Sequence, residues 1–181
     1  MSTTESAVSA VDSTAAVTTK HALKSQFQVL YGTISDNLAE MSHEDSLVQP
    51  SPGGNCANWI LGHLTNVQNQ TMQLLGEAPV WESPELERAG LDPITSPDRA
   101  IDFDTMKANF LGSAERCLAA IDGLSDEQLA QGGIPHPFGG ETTRGALLAL
   151  LSFHQAYHAG QLALSRRVAG YPGAVKAPGQ T

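Results

Sequence analysis

The sequence predicts an all-α protein: a four-helix bundle with long irregular loops. Three observations lead there. Four segments repeat their apolar residues at steps of three and four, the spacing of one face of an α-helix. Start or stop residues stand at the ends of these segments. No segment alternates apolar and polar residues with β-branched enrichment, so no sheet is expected. Amphipathic helices of this length bury their stripes against one another.

The first segment runs from about Lys20 to Met41, with Leu23, Phe27, Leu30, Ile34, Leu38 and Met41 on one face. The second runs from about Asn55 to Leu75, with Trp59, Ile60, Leu64, Val67, Thr71, Leu74 and Leu75 on one side. Asn55 reads as its N-cap and Gly76 as its stop. The third opens near Ser96-Pro97-Asp98, a capping residue, a first-turn proline and an acid near the positive helix end. Its stripe is Phe103, Met106, Phe110, Ala114, Cys117 and Ile121, and Gly123 ends it. Ser125 and Gln128 have capping-box spacing for a short turn of helix. The fourth runs from about Thr142 to Ala169, capped by Thr142 or Thr143, with Arg166 and Arg167 in its last turn and Gly170 and Pro172 beyond.

The helical domain is therefore placed at residues 19–170. Residues 1–18 read as a flexible tail and 171–181 as an irregular one. Two connections stand out. Gly76 to Thr95 is long and holds Pro79, Pro84, Pro93 and an exposed-looking Trp81; Gly132 to Glu141 brackets His136 with prolines.

Composition removes several function classes. The 181 residues are 41% hydrophobic and 16% charged, a globular balance. Such a chain buries roughly 70% of its unfolded surface and needs no staple. Ten basic against nineteen acidic residues give a net charge of −9. That charge repels phosphate backbones and anionic lipid, so neither nucleic acid nor membrane is an expected partner. Cys56 and Cys117 are too few for a disulfide scaffold. The longest apolar run, Ala146 to Leu151, is far short of a membrane span, and no basic residue precedes Lys20. The expected location is the cytoplasm.

Histidines carry the chemistry. His154 and His158 are four apart in the string FHQAYHAGQ, so they differ by about 40° on a helix and point the same way one turn apart. His63 lies four after Trp59 and four before Val67, within the second stripe. A single histidine on an apolar face is most simply a core residue with one hydrogen-bond partner. Three imidazoles aimed at one core cannot all satisfy one another, whereas a divalent metal satisfies all of them. A pair at i, i+4 plus one from elsewhere leaves positions open for water or substrate, as catalytic metal sites do. HQAYH has Gln155 where the metalloprotease motif needs its glutamate, and only Glu40 to His43 fits E-x-x-H, so peptidase and di-iron carboxylate chemistry are unsupported. Phosphate-loop, nucleophile-elbow and dinucleotide motifs are absent.

The run NWILGHL (Asn58 to Leu64), followed much later by HQAYHAGQLALSRR (His154 to Arg167), resembles the DinB/YfiT superfamily of small metal-dependent enzymes. The likeness covers nearly all of residues 20–170: four helices in order, a long second loop, and a Gly-Gln pair after the second histidine. The resemblance implies a four-helix bundle with an unusual connection order. It implies a divalent metal, nickel or zinc, on three histidines that match His63, His154 and His158. It also implies a homodimer and a small-molecule substrate. Characterised relatives include enzymes that use low-molecular-weight thiols, some to isomerise maleylpyruvate and others to transfer the thiol sulfur to an electrophile. The C-terminal domain of mycothiol-dependent maleylpyruvate isomerases is missing here, which argues against that assignment. A thiol S-transferase is thus the leading expectation. A metal-dependent hydrolase, a non-catalytic metal- or ligand-binding bundle, and a structural bundle with three satisfied histidines are the alternatives.

Supporting residues have two readings each. Gln161 could orient a ligand histidine or simply bond a neighbouring helix. Tyr157 could serve the site or sit at the core edge with its hydroxyl in water. His136 could reach in from its loop or be solvated. Cys56, near a helix N-terminus, could have a lowered pKa or be a small buried residue, and Cys117 reads as core. Trp59 could wall the site or anchor the core. Trp81 could close over a ligand or pin its loop. His21 and His43 read as surface residues.

Overall fold

A computed structural model describes residues 18–88 and 93–174. The expected tail over residues 1–17, and residues 175–181, lie outside the described residues. Among the described residues eight α-helices appear in chain order: α1 (Thr19–Leu38), α2 (His43–Ser46), α3 (Ala57–Leu75), α4 (Pro84–Arg88), α5 (Phe103–Gly112), α6 (Ala114–Gly123), α7 (Asp126–Ala130) and α8 (Arg144–Val168). The first two long helices and the last match the periodic segments. The third predicted helix is two, α5 and α6, joined at buried Ser113. Its stripe behaves as expected, with Phe103, Met106, Phe110, Cys117 and Ile121 all fully buried.

Local chemistry explains the departures. Ser96-Pro97-Asp98 forms only a 3-10 turn, Pro97–Arg99. The helix waits until Phe103 because Asn58 grips the backbone of Ile101: its amide donates to the Ile101 carbonyl at 2.8 Å, and its carbonyl accepts the Ile101 N–H at 3.1 Å. Asp102 then caps α5 by accepting the Thr105 N–H. At α3 the N-cap is Cys56, one residue past Asn55, and it makes no side-chain cap bond. Asn55 instead offers its carbonyl to the Ser165 hydroxyl. The end signals at α7 and α8 hold: Ser125 and Gln128 form a capping box, and Thr143 caps α8. Gly76 stops α3 at φ 79°, a left-handed conformation that glycine adopts at little steric cost. The expectation of no sheet needs correcting. Two-residue strands β1 (Ile134–Pro135) and β2 (Glu141–Thr142) pair antiparallel, because Gly139 and Gly140 supply the positive φ angles that turn the chain back.

Four pillars surround the core: α1, α8, α3, then α5–α6, and back to α1. Bonds at their ends give the directions. Arg166, late in α8, reaches Asn37 at the end of α1, so these two helices run parallel. Ser165 reaches Asn55 just before α3, so α3 opposes α8. Lys24, early in α1, pairs with Asp122 late in α6 at 3.0 Å, so α6 opposes α1. Consecutive pillars are thus not always neighbours. The chain crosses the bundle end between α1 and α3, and again between α6 and α8. That order seats α8 between α1 and α3. Phe27, Ile34, Leu38, Ile60, Leu64, Phe103 and Phe110 fill the centre; each stabilises the fold by roughly 1.5–3 kcal/mol.

Candidate metal centre

The shared face of α3 and α8 carries three imidazoles. His63 comes from the middle of α3; His154 and His158 come from successive turns of α8. Their ligand nitrogens all lie within 4.8 Å of one another. The Nε2 atoms of His63 and His154 are 2.8 Å apart. At that distance one must carry a hydrogen and the other accept it, unless a cation lies between them. Nitrogens bound to one cation at about 2.0–2.1 Å stand about 3 Å apart, so the spacing suits a shared metal. His158 Nδ1 donates to Gln161 Oε1 at 2.8 Å, which leaves Nε2 as its free ligand atom.

Surroundings favour neutral imidazoles, the form a metal needs. Burial lowers the pKa of His154 from the ordinary 6.5. Burial lowers that of His158 too; the Gln161 bond opposes the shift, and neighbouring His154 adds to it. His158 is buried, while His63 and His154 are half-buried, so the group can be reached from solvent. Trp59 lies flat on His63, with ring centroids 5.3 Å apart and planes at 11°. It both walls the site and belongs to the core, being buried itself. Tyr157 stands edge-on to His158 at 5.2 Å and is 60% exposed.

The remaining candidates fall elsewhere. His136 sits in the hairpin, packed on Phe138 and accepting the Phe138 N–H, outside the three-imidazole group. His21 is exposed beside Thr18. His43, read as a surface residue, is half-buried because its Nδ1 accepts the Phe103 N–H. Cys56 is buried, and burial pushes its thiol pKa up, which fits the small buried residue of the two readings. Cys117 is core, as expected. Trp81 is half-buried against the core, its backbone N–H and carbonyl both bound by Asn69, so it pins its loop.

One feature escaped the sequence reading. Gln155, the residue after His154, is fully buried, and its amide nitrogen donates to Gln68 Oε1 at 3.2 Å and Thr71 Oγ1 at 3.3 Å. Its position within the fourth stripe was the available signal.

The profile of the DinB superfamily matches residues 26–162, all four pillars included. The chain belongs to the DinB superfamily. A crystal structure described as the conserved protein of locus from Enterococcus faecalis has the same fold, with a TM-score of 0.64 at 18% identity. The match covers 85% of this chain and 98% of that one. No curated protein matches. Among the described residues, no helix is long and apolar enough to cross a membrane.

Proposed function

We propose that this DinB protein is a divalent-metal-dependent enzyme that transfers the sulfur of a low-molecular-weight thiol to an electrophilic small molecule. The observation that carries the metal reading is the convergence of three imidazole nitrogens at a half-buried face. His63, His154 and His158 would hold zinc or nickel; the thiol, like the identity of the metal, follows from the family resemblance. A divalent ion held by neutral ligands keeps its full charge and lowers the pKa of a coordinated thiol or water. His63 and Trp59 stack to fix one wall, and Gln161 holds the His158 tautomer. In the transfer, sulfur forms a bond to the electrophilic carbon, the leaving group departs with its electron pair, and the thiol proton passes to solvent. The test is a screen of the metal-loaded protein with thiols and alkylating electrophiles, beside H154A. Thioether formation that needs the metal and the wild-type histidine is expected. Turnover of esters or amides without thiol would instead establish the hydrolase.

A second copy of the chain is the proposed partner. The outer face of α1 and α8 holds a groove of about 760 Å³, floored by Ala156, Gly160 and Ala163. Phe153 and Val29, each 69% exposed, rise beside it. Bulk and hollow on one face suit a twofold pairing in which each fills the other. Light scattering should give a dimer for wild type and a monomer for F153E; a monomeric wild type would overturn the pairing. A cytoplasmic location is proposed with it, on the paucity of cysteines alone.

A further inference from the structure

We propose that Gln155 is a positioning residue: its buried amide sets the register of α8 against α3 and so assembles the three-histidine group. The inference rests on the metal reading of that group. Its starting point is an ambiguity in the histidine pattern. His154 and His158 are one turn apart, so sliding α8 by one turn, about 5.4 Å, brings one to the place of the other. Imidazoles alone do not select the register in which both face His63.

A polar layer through the core does. Gln155 on α8 donates to Gln68 and Thr71 on α3. Gln68 donates to the Tyr31 hydroxyl on α1 at 2.7 Å. Three pillars, α8, α3 and α1, therefore contribute to one buried chain of bonds. A one-turn slide places Ala159 or Leu151 near Gln68 and Thr71, and both buried acceptors lose their donor. Such losses are penalised more heavily than lost apolar contacts. The layer is itself imperfect, since the Gln155 Oε1 has no partner. An incompletely satisfied buried amide is a poor source of stability and a good source of uniqueness.

The test titrates Co²⁺ into metal-free wild type, Q155L and the double variant Q68L/Q155L, reading affinity, the visible absorption band and the melting temperature. We expect Q155L, which orphans the Gln68 and Thr71 acceptors, to melt below wild type, and the double variant, which removes donor and acceptor together, to recover much of that loss. Their Co²⁺ affinity should fall at least about tenfold, with an altered absorption band, because the ligands lose their common register. A variant that binds Co²⁺ with wild-type affinity and spectrum overturns the inference and leaves the metal reading standing. Failure of both variants to fold marks the layer as purely structural and also overturns it. A wild type that takes up no Co²⁺ overturns the metal reading, and this inference with it.

Discussion

Helix α8 carries polar groups into the protein at two places about two turns apart, and the two are finished differently. Near its end, Arg166 is 3% exposed and all three nitrogens of its guanidinium are bonded. It donates to the carbonyls of Asn37, Ala39 and Pro172, meets Glu40 at 3.2 Å, and lies over the Tyr171 ring. Tyr171 passes its hydroxyl on to Asp45 at 2.6 Å. Nothing in that cluster asks for a further ligand. Earlier on the helix, His63 and His154 aim the same kind of atom at each other, and His158 presents a third. Two lone pairs facing at hydrogen-bond distance repel unless a proton or a cation lies between them. The contrast separates polar burial that ties the fold together from polar burial whose ligand atoms converge on one point. A chain can hold both on one helix because the clamp fixes the end while the histidines occupy the edge.

Variants at each place should divide accordingly. R166A removes donors from buried carbonyls, each worth about 1–3 kcal/mol when orphaned, so a loss of roughly 3 kcal/mol is expected in urea unfolding. Metal stoichiometry of the folded fraction should stay at the wild-type level. Q161L should do the reverse. Stability changes little, while metal affinity falls roughly 10–100-fold as His158 loses the bond that fixes its tautomer. Calorimetric titration reads the second effect and urea unfolding the first; equal stability losses in both variants would erase the distinction.

Acid titration sharpens the contrast with a smaller effect. His154 and His158 have folded pKa values below the ordinary 6.5, so the unfolded chain binds more protons just below that pH. Metal-free protein should therefore lose stability as pH falls through about 6.5. Asp45, in the clamp, is held below 3.8 first by the Tyr171 hydrogen bond and then by the Ser42 backbone. Its contribution is present above that pH and lost as pH falls further. Melting temperatures of metal-free protein between pH 3 and 8 should show two separate declines.

Much of this was legible in the sequence, though unevenly. Helix positions follow from a local period, and His63, His154 and His158 announce themselves by spacing within it. The Arg166 clamp does not. Asn37, Ala39 and Glu40, which it joins, lie 126 or more residues away, and a last-turn arginine looks like an ordinary end charge. The delayed start of α5 was hidden for the same reason: Asn58, 43 residues earlier, holds the Ile101 backbone. In the sequence Gln155 signifies only that the glutamate of a metalloprotease motif is replaced. Its buried bonds to Gln68 and Thr71 appear once α3 and α8 are side by side.

The most direct measurement is metal content by plasma mass spectrometry on untagged protein, with H154A and H158A beside it. Near-stoichiometric zinc or nickel in wild type, lost in both folded variants, is the expected result. A folded wild type that carries no metal and takes up none of several offered divalent ions would contradict the account and leave a structural bundle.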